Sequence, residues 1–295
     1  MLRYKSVTLE DKQWVEAIFA ACDRRGNEYT FSNLFDWAKP MHIQITECDG
    51  CLICRRTEED SVYSCPIGTD GVSSAIEKLL EESHENGNKL TMVDVGEPDV
   101  ERIQRDFPGQ FTFEERRDDF DYIYDSADLG AMQGRKHRIK RNRVNKFLKI
   151  YPDWRYESIN SQNIHHVIKM AQAWYREAFE TKEKSILQER EAVMCGLQNF
   201  EALGLRGGVI FIEENVVAFT FGKASCKDTM VVHAEKAFPK YPEAYTMIAK
   251  EFALDISKDY HYINREDDMG IEGLRVSKMS YRPEFFYKRF WAREV

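Results

Sequence analysis

Residues 263–278 read INREDDMGIEGLRVSK and hold the densest set of side chains in the chain able to do chemistry. Three acids in a row, Glu266, Asp267 and Asp268, end a strand-like run. Arg275 and Lys278 follow on a helical pattern in which Ile271, Leu274, Arg275 and Lys278 recur at i, i+3, i+4 and i+7, a single face. Two cations sharing a stripe with two aliphatics predict the wall of a partly buried pocket, with Asp268 as the helix N-cap. In such a pocket Arg275 and Lys278 would bind a phosphate or carboxylate of the substrate. Asp267, or Glu235 in the upstream motif HAEKA (233–237), would accept the proton of an attacking amine or hydroxyl. The competing account is an internal ion-pair network, Arg275 and Lys278 against Glu266 or Asp267, because structural pairs collect in the same surroundings. Strand alternation puts His233 on the face of Glu235, as a minor candidate.

A second concentration of chemistry is GRKHRIKRNRVNKF, residues 134–147, with seven Lys/Arg in a chain of formal net charge −8. Arg135, Lys136, Arg138, Lys140, Arg141 and Arg143 are candidate donor- or phosphate-binding residues, since the arginine fork matches phosphate oxygens. If about five of these charges engage a nucleic-acid backbone, log K falls against log salt with a slope of roughly −3.5 to −4.5. A solvated helix between domains, balancing the acidic remainder, is the alternative.

These residues need a scaffold, and 295 residues leave room for two domains. With 43% hydrophobic and 31% charged residues the composition is that of folded, globular protein. No apolar run reaches the length of a spanning helix, and MLRYKSVTLEDKQ lacks the features of a signal peptide, so a cytoplasmic location is expected. Seven cysteines are then expected as reduced thiols. Cys48, Cys51 and Cys54 have C-x2-C-x2-C spacing, yet alternation around Asp49-Gly50 predicts a β-hairpin, and no metal site is expected. His165-His166, Cys195 and Cys226 have no companions that would make a site. Helical and alternating runs interleave along both halves, which predicts an α+β fold of mixed, largely antiparallel sheets with helices on their faces.

NEYTFSNLFDW (27–37), YSCPIG (63–68), the basic segment, HAEKA and INREDDMGIEGLRVSKMSYRP (263–283) together resemble the family related to the C-terminal synthase domain of phosphatidylglycerol lysyltransferase. The resemblance runs along essentially the whole chain. It implies two tandem GNAT-like folds: an N-terminal domain over 1–128, a basic connecting helix over 129–150, and a C-terminal domain over 151–295 carrying the active site. It further implies an acyltransferase that moves an aminoacyl group from aminoacyl-tRNA to an amine or hydroxyl acceptor, a small molecule or headgroup, with no tightly bound cofactor. An acyl-CoA-dependent N-acetyltransferase and a non-catalytic nucleic-acid or anion-binding module are the alternatives. Acyl-CoA is the weaker donor, because FPKYPEAYTM, where such enzymes cradle a pyrophosphate on backbone N–H groups, has two prolines and no glycine.

Overall fold

A computed structural model describes residues 2–58, 61–178 and 184–295. Its strands are β1 (Lys5–Ser6), β2 (Ile43–Cys48), β3 (Cys51–Arg56), β4 (Val62–Ser64), β5 (Thr91–Gly96), β6 (Phe111–Glu115) and β7 (Asp121–Asp125). The second half adds β8 (Trp154–Ser158), β9 (Arg206–Ile212), β10 (Asn215–Cys226), β11 (Thr229–Ala237), β12 (Tyr262–Asn264), β13 (Phe285–Tyr287) and β14 (Arg289–Glu294). The expected hairpin is present: β2 and β3 join at Asp49 (φ 52) and Gly50 (φ 77), the left-handed pair that suits strand twist.

Two seven-stranded mixed sheets result, in the orders β1-β2-β3-β4-β5-β14-β6 and β13-β7-β12-β11-β10-β9-β8. Reading the second from its other end reveals a repeat. Each sheet has four antiparallel strands, then one parallel pair, β4–β5 or β11–β12, then two antiparallel strands. A helix crosses over between the partners of each parallel pair, Val72–Glu85 in the first sheet and Ala244–Ile256 in the second. Both crossover helices start from a left-handed residue, Gly71 (φ 74) and Glu243 (φ 69).

The sixth strand of each sheet comes from the other half of the chain. β7 sits in the second sheet and β14 in the first. The expected boundaries at 128 and 151 are therefore crossed by one strand in each direction. QFTFEERRDDFDYIYD and EFFYKRFW each read as one continuous strand-like run, but both change sheets partway, at 116–120 and at Lys288. Which sheet each part joins is set by pairing with strands distant in sequence.

The basic helix also differs from expectation. It spans Arg138–Ile150, after a separate helix Ser126–Ala131, and the strands on either side, β7 and β8, both belong to the second sheet. It is a crossover within that sheet rather than a joint between halves. Val144 and Phe147 bury its inner face against Tyr124, Met247 and Phe252. A further core is shared by both sheets, with Val15, Ile45 and Leu52 of the first half packed with Val209, Phe219 and Phe221 of the second. Each fully buried Phe there contributes about 1.5–3 kcal/mol. Among the described residues no helix is long and apolar enough to cross a membrane.

Candidate active site

The site is organised by one irregularity in β11. Opposite β10, Phe221 pairs with Ala234 and Gly222 with Val232, so His233 is an extra residue, a β-bulge. Gly222 is required there, because a Cβ would overlap the Val231 carbonyl oxygen. The bulge re-aims the strand: Val232 packs in the second-sheet core while Ala234 joins the core shared by both sheets. His233 and Glu235 therefore point to opposite faces, contrary to simple alternation.

His233 joins three segments distant in sequence. Ser32 Oγ lies 2.8 Å from His233 Nε2, and His233 Nδ1 lies 3.0 Å from Glu266 Oε1. Ser32 is near the start of helix Phe31–Ala38, where the Thr30 hydroxyl accepts from the Asn33 amide. Glu266 is left-handed (φ 57), as are Met269 and Gly270 just beyond, so uncommon backbone is concentrated in the loop that delivers the carboxylate. Parallel pairing of β11 with β12 stops at Val231 and Asn264. Past that point Glu266 reaches His233 on one face, and Arg265 donates to Glu235 at 2.7 Å on the other.

Next to His233 a small cavity of about 10 Å³, room for roughly one water, is lined by Asn33, Asp36, Trp37, Ala192, Val193 and Phe221 as well as the imidazole. Burial pushes the Asp36 carboxyl up to about 8, against the smaller opposing effect of the Cys195 thiol. Beneath lies a buried ionic junction. Arg289 donates to Asp121 (2.9 Å), Glu28 (2.6 Å) and the side-chain oxygen of Asn27 (2.7 Å), and Asn264 donates to Asp121 at 2.7 Å. Burial lifts Glu28 to about 7 even beside Arg289, and lifts Asp267 to about 6 with the help of Asp121. Asp121 opens β7 and Arg289 opens β14, so this junction clamps the two exchanged strands together.

The other anticipated residues fall elsewhere. Arg275 donates to both oxygens of Asp268 (2.8 Å each) and to Asp118 (2.6 Å). Burial would raise the Asp268 carboxyl, but Arg275 and the Tyr122 hydroxyl hold it down at about 2. Asp268 is thus an anchor for Arg275, not a helix cap; the helix runs Glu272–Met279 from Ile271. Ile271 and Leu274 are exposed, so no pocket wall forms on that stripe. Lys278 is half-buried, its charge disfavoured by desolvation, and its ammonium donates to the carbonyls of Arg265 (2.7 Å), Glu266 (3.3 Å) and Asp267. Arg275 thus pairs with Asp268 and Asp118 and not with Glu266 or Asp267, and Lys278 secures the loop that carries Glu266.

The basic segment is largely engaged internally. Lys140 is buried, its ammonium 3.4 Å above the Tyr281 ring, and burial together with Arg143 and Arg265 pushes it down to about 7. Lys136 pairs with Asp128 (2.8 Å), and Arg141 donates to the carbonyls of Met132 (3.0 Å) and Gly134 (2.9 Å). Arg143 and Lys146 lie 3.7 and 3.3 Å from Glu243. Arg135 and Arg138 are exposed and form no ion pair among the described residues. Lys140 does not belong to an outward ridge.

Sequence reasoning missed Ser32, Glu28 and Asp36 as site residues, although all three lie in NEYTFSNLFDW. That run is similar to the phosphatidylglycerol lysyltransferase C-terminal family, and the chain matches this family over residues 19–293. The chain belongs to that family. Among solved structures, a conserved protein of unknown function from Bacteroides thetaiotaomicron is 34% identical and covers 100% of both chains, with a TM-score of 0.93. The C-terminal domain of a protein from Agrobacterium fabrum described as a lysylphosphatidylglycerol synthetase has the same fold (TM-score 0.69, 10% identity, 97% of this chain and 92% of that one). So does L-PGS from Bacillus licheniformis (TM-score 0.64, 14% identity, 98% and 93%). An uncharacterised protein of Mycoplasmoides gallisepticum is 23% identical over 181 residues, 59% of this chain and 56% of that relative, little more than half its length. A lysyltransferase moves an aminoacyl group, so membership in the phosphatidylglycerol lysyltransferase family supports acyl transfer as the general chemistry.

Proposed function

We propose that the protein is an aminoacyltransferase that takes an activated aminoacyl ester, of the kind carried by tRNA, and passes it to an amine or hydroxyl acceptor. The observation that carries this reading is the Ser32–His233–Glu266 line. Glu266 Oε1 accepts from Nδ1–H, which fixes the tautomer and leaves Nε2 to accept from Ser32. As the acceptor's nitrogen or oxygen bonds to the acyl carbon, its proton passes to Ser32 and the Ser32 proton to His233. When the ester C–O bond breaks, the imidazolium returns a proton to the departing hydroxyl. The ester is already activated, so placement and proton movement are the main tasks left to the protein.

Donor choice follows from the crossover helices. A pyrophosphate cradle needs free N–H groups and a positive helix end. In the second sheet Glu243 stands at that end, paired with Arg143 and Lys146. In the first sheet the Asp49 carboxylate accepts from Ser74 and Lys78 in the opening turns of the helix, at 2.7 Å each. Side-chain carboxylates, each with its own cations, already occupy both positions, which favours an aminoacyl ester over acyl-CoA. The test offers the protein pooled aminoacyl-tRNA or acetyl-CoA, with hydroxylamine as a general amine acceptor. Enzyme-dependent aminoacyl hydroxamate that disappears in His233→Gln supports the proposal; hydroxamate from acetyl-CoA alone, or wild-type yield from the variant, overturns it.

A further inference from the structure

The cavity beside His233 contains a polar atom with nothing to bind. Asp36 is 4% exposed, and its Oδ1 has no hydrogen-bond partner although the residue lines the cavity. A buried acceptor left unpaired costs about 1–3 kcal/mol, so a partner that enters recovers that amount. The other lining groups narrow what the partner is. Trp37 and Phe221 present aromatic surface, Ala192 and Val193 are apolar, and Asn33 and His233 are polar. None of these linings is a permanent cation. About 10 Å³ admits one water-sized group, too little for a carboxylate or phosphate and enough for an –NH3⁺ head.

We infer that this cavity is an ammonium subsite: Asp36 receives the primary ammonium of a substrate, with Trp37 and Phe221 beside the charge and His233 at the reacting end. The inference rests on the aminoacyl-transfer reading for its place in a reaction. An aromatic wall and a desolvated carboxylate are together the standard chemistry for holding an alkylammonium. Asp36 keeps company with few other charges: Glu266, on the loop across from it, and the Cys195 thiol on helix Lys184–Gln198. Neither supplies the missing positive partner. Burial, with Glu266 acting in the same direction, pushes the carboxyl up to about 8, and an arriving ammonium would stabilise its ionised form. The same primary ammonium occurs in two places in aminoacyl transfer, as the α-amine of the transferred group and as an amine on the acceptor.

The test is a titration of the intact protein at pH 8, following the Trp37 indole N–H resonance, assigned with Trp37→Phe. L-Alaninamide represents the transferred group and lactamide is its neutral isostere; ethanolamine represents an acceptor and ethylene glycol its neutral counterpart. The expected result is a saturable shift with an ammonium probe, at least tenfold weaker with its neutral partner and at least tenfold weaker in Asp36→Asn. Alaninamide without ethanolamine assigns the subsite to the donor's α-amine, and the reverse assigns it to the acceptor. Equal binding of neutral and cationic probes, which needs only the wild type, overturns the inference, as does the absence of any shift. The titration uses no donor, so ammonium binding without hydroxamate formation would sink the transfer reading and leave the subsite standing.

Discussion

The two faces of β11 carry the same kinds of side chain to opposite ends. On one face His233, Ser32 and Glu266 form a line beside a cavity, with Asp36 Oδ1 unpaired. On the other, Glu235 is closed off by Arg265, whose guanidinium lies 4.6 Å from the Tyr281 ring, with Lys140 over the same ring. Glu235 is therefore a charge whose partner is already chosen, whereas His233 lies beside the cavity that Asp36 also lines. Residue type alone did not separate them. A single inserted residue did, by sending His233 to the side where three distant segments meet.

The comparison breaks most sharply at the chemistry. Replacing His233 with Gln or Glu266 with Gln is expected to lower transfer about 10²–10⁴-fold, the usual contribution of a positioned proton acceptor, and Glu235→Gln less than tenfold. Hydroxamate formation per mole of folded protein measures both, and equal losses would erase the distinction. In stability the order reverses. Arg265→Met leaves the largely buried Glu235 without its partner and should cost about 3 kcal/mol in urea unfolding, more than Ser32→Ala.

pH gives a smaller and opposite signature on each side. Asp36 rises from 3.8 to about 8, so the folded state holds a proton the unfolded chain has lost, and stability from this group falls as pH climbs through that window. Lys140 falls from 10.5 to about 7, so above 7 the unfolded chain holds the extra proton, and stability from this group grows toward pH 10. Asp36→Asn should flatten the decline and Lys140→Met the rise, in unfolding curves taken from pH 5 to 10. The smallest effect concerns the exposed cations. With Lys140 inside and Lys136, Arg141 and Arg143 engaged, reversing Arg135 and Arg138 should reduce the salt slope of tRNA binding by about 2, and Lys140→Met should leave it within about 0.5.

Local order was largely legible from the amino acids. The hairpin at Asp49-Gly50 and the α+β class follow from patterns a few residues long. What was not legible depends on pairing between separate segments. Nothing within TMVVHAEKA announces that Gly222 will force a bulge opposite it, and nothing near Ser32 announces His233, 201 positions away. The spacing of Arg275 and Lys278 on one stripe was read correctly as spacing. Yet Asp268 and Asp118 took the first, and backbone carbonyls took the second. Charge counting failed at Lys140 for a related reason: a basic run gives the number of cations, and only packing decides which one faces Tyr281.

The strand exchange bears on how the protein emerges from the ribosome. β6 cannot find its neighbour in the first sheet until residues 289–294 exist, because β14 lies between β5 and β6. For most of translation the first half must wait with that flank open, a span on the order of ten to forty seconds for the residues between. Arg289 then arrives last and docks on Asp121 and Glu28. The final strand thus acts as a latch, and a nascent chain stalled before it should stay protease-sensitive in its N-terminal half, however complete that half looks in sequence.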